Sequence, residues 1–420
     1  MPPDSSVGMN GRFPVIACLY DKTMKKSQVY KLNPTKTEEA MFRQFAGASR
    51  WVYNKALERC REHYRETGKH LDPRRFQGVI TKIKKEPDTA WLSSVHSQVL
   101  QQPTINLKRA FDNFFEGRAG EPRFKKKYRN DAFRYPQGVR IVENRIYLPK
   151  IGWVKFHRSR DNIDGTIKSA TVKRRASGWY VAIVLETGKV EPGAPVPTRE
   201  SSVGIDMGLR AFATLSTGDV VDMPRYYVEA QRRRRKAQKA LSRKQKGSNN
   251  WIKQLKRVQL LEEIIARGRR DFQDKLSTRL VEKYDLICVE TLNLSGMKKA
   301  LNLGKSESDR AIGQFLRMLE YKCAERGVHL WRADRWWPSS KTCSSCGHVN
   351  RDLKLKDEVF ECPVCNLKIG RDLNAALNLV AAGLAETLNA CGEDVRPAAT
   401  QVDGGLTFVK QEPERYLIPA

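Results

Sequence analysis

Acidic residues are the scarce class in this chain: 47 Asp and Glu stand against 77 Lys and Arg, for a formal charge of +30 and a pI near 9.9. An imbalance of that size disfavours cationic partners and draws a polyanion, with nucleic acid the natural one. Long apolar runs are also missing. None approaches the ~20 residues a spanning helix needs, so no membrane is expected. The segment "FPVIACLY" is too short, and too broken by Pro14, for a secretion signal, and reads as a β-strand in a cytoplasmic protein. Disulfide logic is absent as well. Nine cysteines are an odd number, and Cys18, Cys60, Cys288, Cys323 and Cys391 are scattered without pairing, which excludes a disulfide framework. What remains is a chain of 420 residues and 40% hydrophobic content, long enough for two or more domains.

The other four cysteines form a pattern. "CSSCGHVNRDLKLKDEVFECPVC" sets Cys343 and Cys346 two residues apart, then Cys362 and Cys365 two residues apart. Two such turns offer four thiolates to one tetrahedral ion, the spacing of a zinc ribbon. Gly347 and Pro363 suit the tight knuckles. Four thiolates close the shell, so one Zn²⁺ would be structural and His348 a surface residue.

The rest of the chain divides by periodicity. From about Gln28 to Arg118 it reads mainly as helix, with Phe42, Phe45, Ala46, Trp51 and Leu57 at helical spacing and Thr35 or Thr37 placed to cap the start. A second helical stretch around "WLSSVHSQVLQQPTINLKRAFDNFFEG" is expected to break or restart near Pro103. From Phe124 to about Leu185, "RIYLPKIGWVKF" and "GWYVAIVLE" read as strands of a small β-barrel. Because Phe13 to Leu32 also reads as strand, the helical block is expected to be inserted into that barrel. A proline-bearing linker, "TGKVEPGAPVPTRESS", precedes a meander of "VGIDMGL", "FATLST" and "VVDMP". Residues 224–270 then carry sixteen Lys or Arg against three Glu, among them Arg232, Arg233, Arg234, Arg235 and Lys236. Trp251, Leu255, Val258, Leu261 and Ile265 recur at helical intervals, which predicts one helix with an apolar face and a basic back. A charge run is ordinarily a solvated face, but this density without balancing acids favours phosphate contact.

Three acids stand out against that background. Asp206 and Glu290 end apolar strands, and Asp372 lies in the first turn of the helix opened by "GRDLNAALNLVAAGL". A meander, helix and strand arrangement can bring those ends together. Converging carboxylates repel one another unless hard divalent cations hold them. Two Mg²⁺ ions about 3.5 to 4 Å apart would support in-line hydrolysis of a phosphodiester, with Asp206 between them. Taken singly, each acid has a plainer use as a turn cap, an ion-pair partner or a helix-dipole complement.

Together, "VGIDMGL", "ICVETLN", "PSSKTCSSCG…CPVC" and "RDLNAALN" resemble the RuvC-type nuclease core and zinc ribbon of TnpB, the transposon-encoded RNA-guided DNA endonuclease akin to compact type V CRISPR effectors. "RWVYNKALE", "WLSSVHSQVLQQ", "RFKKK" and "LPKIGWVKF" are similar to its recognition lobe and wedge barrel. The resemblance implies a multidomain α+β chain. Residues 1–32 would be an N-terminal extension with the first part of the wedge β-barrel, 33–118 a helical recognition domain, 119–190 the second part of the wedge, and 191–202 a linker. Residues 203–337 and 369–395 would form an RNase H-like RuvC domain interrupted by a zinc ribbon at 338–368, followed by a disordered tail at 396–420. It further implies Asp206, Glu290 and Asp372 as the catalytic triad, and guide RNA and double-stranded target DNA as partners, with no small-molecule substrate. Lys125, Lys126 and Lys127 join the basic contacts, and Ser97, Gln98 and Gln101 fall on the helix that reads a short motif beside the target, where amides suit adenine edges. Trp336 and Trp337 would stack bases of the displaced strand or pack under the ribbon. Where the family pattern carries Asp, this chain has Gly370, which leaves Asp372 in register. A compact CRISPR effector, a nuclease-inactive repressor and a transposase or resolvase on the same metal fold are the alternatives; the repressor class usually lacks acids that are all present here, and a transposase should carry a DNA-binding helix-turn-helix, for which the sequence offers no clear candidate.

Overall fold

The computed structural model describes residues 25–127, 131–159, 163–188, 195–208, 211–291, 311–354, 357–390 and 415–416. The expected strand at Phe13 to Tyr20, the N-terminal extension and most of the 396–420 tail lie outside them. The chain forms two compact units, one of residues Asp21–Lys189 and one built from Val190 onward.

The first unit pairs β1 (Lys25–Leu32) with β5 (Gly152–His157) on one side and β7 (Gly178–Glu186) on the other, both antiparallel. With β2 (Ala132–Tyr135), β3 (Arg140–Val142), β4 (Arg145–Leu148) and β6 (Thr166–Arg175) it makes a seven-stranded sheet, β2-β6-β7-β1-β5-β4-β3. Helices α1 (Lys36–Thr67), α2 (Phe76–Ile83) and α3 (Ser97–Phe115) lie in the chain between β1 and β2. Thr35 caps α1 through a capping box with Glu38, and Gly68 closes it in the left-handed conformation that glycine adopts freely. The helices and the sheet share one core, in which Phe42 packs on Phe133 and Trp179. Pro103 does not break α3 as expected. It sits buried inside a continuous helix, where packing of Val99, Leu100, Leu107 and Phe111 outweighs one missing backbone hydrogen bond.

The second unit carries a sheet in the order β12-β11-β8-β9-β10-β15: β8 (Ser202–Asp206), β9 (Ala213–Leu215), β10 (Val220–Val221), β11 (Leu286–Glu290), β12 (His329–Ala333) and β15 (Arg415–Tyr416). β8, β11 and β12 run parallel, whereas β8 to β10 is an antiparallel meander. The two-residue strand β15, inside the tail expected to lack structure, pairs parallel with β10. Central parallel strands are covered on both faces, and those faces alternate. Val203, Ile205, Ile287 and Val289 pack against α5 (Asn249–Lys283) and α6 (Ile312–Arg326). Leu286 and Cys288 pack against Leu379 of α7 (Arg371–Ala390).

The basic stretch 224–270 is two helices rather than the single one expected, α4 (Arg225–Ser242) and the first part of α5. Gly247, at φ +90°, turns the chain, and the Ser248 hydroxyl accepts from the Trp251 amide to start α5. The apolar stripe at Trp251, Leu255, Val258 and Leu261 is the seam of this hairpin, closed by Ala237 and Leu241 of α4.

Candidate nuclease site

Parallel register brings the first two acids together. Val289 is level with Ile205, so Glu290 and Asp206 are the next residues of adjacent strands, both at the carboxyl end of the sheet. Side-chain alternation then fixes their face. Asp206 shares the face of Gly204, and Glu290 that of Leu286 and Cys288, which is the face α7 covers. α7 comes unusually close. A methyl group on Gly204 would lie 2.0 Å from the Ala376 carbonyl oxygen, and one on Gly383 would lie 2.3 Å from the Cys288 sulfur. Asp372, one helical turn before Ala376, is thereby carried to the same end.

The electrostatics agree with that convergence. Burial raises the Asp206 pKa well above the ordinary carboxylate range, and the negative charges of Glu290 and Asp372 push it further; Arg371 and the Met207 amide only partly oppose them. Asp206, raised by burial and by two neighbouring acids, belongs with them to an oxygen-rich donor set, and a hard divalent cation fits it because it would relieve both the repulsion and the desolvation at Asp206. The site is nevertheless more open than a closed metal cage. Among the described residues, the four ribbon cysteines are the only group of three or more potential ligands whose donor atoms all lie within 4.8 Å of one another.

The ribbon lies between β12 and α7 and carries an antiparallel pair of strands, β13 (Val359–Glu361) and β14 (Lys368–Gly370). Cys343 and Cys365 sulfurs are 3.5 Å apart, as are those of Cys346 and Cys362. Four sulfurs around Zn²⁺ at about 2.3 Å would stand slightly farther apart, so the donor set fits that ion. The two knuckles match in detail. The Gly347 amide donates to the Cys343 carbonyl and the Asn366 amide to the Cys362 carbonyl, each at 3.0 Å, and both residues have positive φ. Amides of Cys365 and Val364 aimed at Cys362 draw its thiol down to about 6, whereas burial pushes that of Cys343 up to about 12, so without a metal the cluster favours its negative charge on Cys362. Among the described residues the hydrophobic centre here is Phe360 with Cys343, Cys362, Leu353, Leu367 and Ile369 around it, too little to hold a fold without a metal.

The remaining expected residues divide by environment. Arg232, Arg235 and Lys236 are exposed on α4, whereas Arg234 reaches Glu262 of α5 at 3.5 Å and Arg233 lies 3.8 Å from Glu229. Lys126 and Lys127 are exposed, but Lys125 puts its ammonium 4.0 Å from the Tyr53 ring while its backbone is bracketed by Asn54. Ser97, Gln98 and Gln101 share one face at the start of α3, in the first unit, with Ser97 and Gln101 exposed. The two tryptophans have different surroundings. Trp336 is 79% exposed with the Arg335 guanidinium near its ring, and Trp337 packs against Trp331 in the core beneath α7.

Sequence reasoning missed several residues that build the site. Ser339 donates its hydroxyl to Glu290 Oε1, and Asn374 and Asn378 of α7 are buried on the segment that carries Ser339. Two asparagines four residues apart on an otherwise apolar helix face were the available signal, since buried amides need partners. Gly204, in the middle of a buried strand, was another.

Residues 183–301 match the family profile OrfB_IS605, described as "Probable transposase", and 313–379 match "Cas12f1-like, TNB domain". A profile described as "Helix-turn-helix domain" matches 24–69, where sequence reading finds no such motif and the structure has one strand and an unbroken 32-residue helix. The protein named "Putative RNA-guided DNA endonuclease InsQ" of Escherichia coli (strain K12) is 36% identical, over 94% of this chain and 99% of its own length. A "Putative RNA-guided DNA endonuclease" of Streptomyces pristinaespiralis is also 36% identical, over 93% of this chain and 97% of its own. Among solved structures, a Cas12f1–sgRNA–target DNA complex shares the fold, with a TM-score of 0.56 at 14% identity, over 85% of this chain and 99% of that one.

Proposed function

The chain belongs to the TnpB family of RNA-guided DNA endonucleases, and from that premise we propose that it hydrolyses target DNA at a single three-carboxylate site, directed by a guide RNA. The observation that carries this is the convergence of Asp206, Glu290 and Asp372 on one face, at two adjacent strand ends and a helix start. In this reading the second unit is an RNase H-like RuvC domain interrupted by a zinc ribbon, and the first is a wedge barrel with recognition helices inserted. Two Mg²⁺ ions held there would supply an activated water and stabilise the leaving oxygen of the phosphodiester. Asp206, Glu290 and Asp372 would hold the cations, Asp206 being the carboxyl that feels both of the other charges. Arg371, 3.5 Å from Asp372, offers a cation beside the substrate phosphate.

Sequence choice is delegated to base pairing, so the protein needs only to hold phosphates and read a short adjacent motif. The exposed cations of α4 suit RNA phosphates, and Ser97, Gln98 and Gln101 suit base edges. Exposed Trp336, close in sequence to the catalytic segment, suits stacking on a single strand. The test is plasmid cleavage by protein purified with its RNA, with Mg²⁺ or EDTA, beside Asp206→Ala. Cutting should need the metal and fall by several orders of magnitude in the variant. Guided binding with no cutting by the wild type under any divalent ion would overturn the nuclease reading in favour of a repressor.

A further inference from the structure

Glu290 ends its strand on a flexible side chain, yet one of its oxygens is already held. The donor is the hydroxyl of Ser339, only 3% exposed and far along the chain, in the segment that joins β12 to the ribbon. That segment is itself braced. The Ser339 amide donates to the Trp337 carbonyl at 2.9 Å, and the Lys341 and Thr342 amides donate to the Pro338 carbonyl at 3.0 and 3.1 Å.

α7 grips the same segment from the other side. Asn378 donates to the carbonyls of Ser339 and Thr342 at 2.8 and 2.6 Å. Asn374 donates to the Thr342 carbonyl at 2.7 Å and accepts from the amide of Ser344, which lies between the first two cysteines. One chain of hydrogen bonds therefore runs from the Cys343–Cys346 knuckle through α7, which carries Asp372, to the carboxylate of Glu290. Fixing one oxygen removes side-chain freedom and leaves the other oxygen for a ligand, the usual work of a group that orients a metal-binding carboxylate.

We propose that Ser339 is a positioning residue of the nuclease centre: it orients Glu290 toward a divalent cation, and Asn374 and Asn378 tie that orientation to the folded four-cysteine knuckle. This rests on the reading of Glu290 as a cation-holding acid. Removing an orienting partner of a metal ligand ordinarily weakens metal affinity about 10- to 100-fold.

The experiment uses the full chain bound to its guide RNA and compares wild type, Ser339→Ala, Asn378→Ala and Glu290→Gln. Mn²⁺ binding is followed by electron paramagnetic resonance, cleavage is measured against Mn²⁺ concentration, and zinc content and melting temperature are measured in parallel. Ser339→Ala should keep its zinc and melting temperature, bind Mn²⁺ about tenfold or more weakly, and recover most of its cleavage at high Mn²⁺. Asn378→Ala should shift the Mn²⁺ dependence in the same direction. Unchanged Mn²⁺ binding in Ser339→Ala, with Glu290→Gln impaired, overturns the positioning role alone. A loss of cleavage in Ser339→Ala that high Mn²⁺ does not restore, with zinc or melting temperature also lost, makes Ser339 merely structural and likewise overturns it. If Glu290→Gln binds Mn²⁺ and cuts as wild type does, the underlying reading of Glu290 as a cation-holding acid fails instead.

Discussion

His96 shows how a single side chain can set a pH limit away from the nuclease chemistry. Its Nδ1 is buried without a hydrogen-bond partner among the described residues, and burial, then Lys150 and Lys84, hold its pKa below the ordinary 6.5. The folded state therefore binds fewer protons than the unfolded one between the two values. His96 contributes its full stability above about 6.5 and loses it as pH falls through the lowered folded value. Urea unfolding between roughly pH 7.5 and 5 should show a falling midpoint in wild type and a flatter one in His96→Asn. A residue of this kind was not legible in the sequence, because a lone histidine carries no trace of the lysines brought to it by folding. The acids were legible for the opposite reason. Asp206 and Glu290 each interrupt an apolar strand pattern at its end, so the chemistry and the periodicity break at the same residue. Ser339 had no such mark. Its role depends on a contact 49 residues away along the chain.

The packing of α7 on β8 leaves no room for a side chain at Gly204, and the obstacle is backbone. Gly204→Ala should push the helix off the strand, cost on the order of 3 kcal/mol or more in chemical denaturation, and separate Asp372 from Asp206. Cleavage in the surviving folded protein should fall well beyond the stability loss. Elements were read correctly where periodicity and boundary residues agreed, as in α1, whose apolar spacing begins just after its cap at Thr35. They were misread where one signal was allowed to dominate. The stripe from Trp251 to Ile265 suggested a single helix, and the turn residues Gly247 and Ser248 just before it were passed over. At Pro103 the opposite happened: one residue was given more weight than the apolar spacing around it, and the spacing prevailed.

The charge of +30 is unevenly useful, because many cations are already paired within the fold. Arg232, Arg235 and Lys236 on α4 form no ion pair among the described residues. Replacing all three by alanine should weaken guide-RNA binding and reduce the slope of log affinity against log salt by about 2, if each meets one phosphate of single-stranded RNA. An unchanged slope in filter binding would place the RNA elsewhere. The insertion of the ribbon between β12 and α7 also has a consequence for synthesis. A ribosome completes β8 to β12, the basic hairpin, Asp206 and Glu290 before it reaches Asp372, and α7 can dock only after the knuckles have been made. Every prematurely terminated chain that stops short of α7 therefore lacks Asp372, and in the proposed reading no such truncated product is armed to cut DNA.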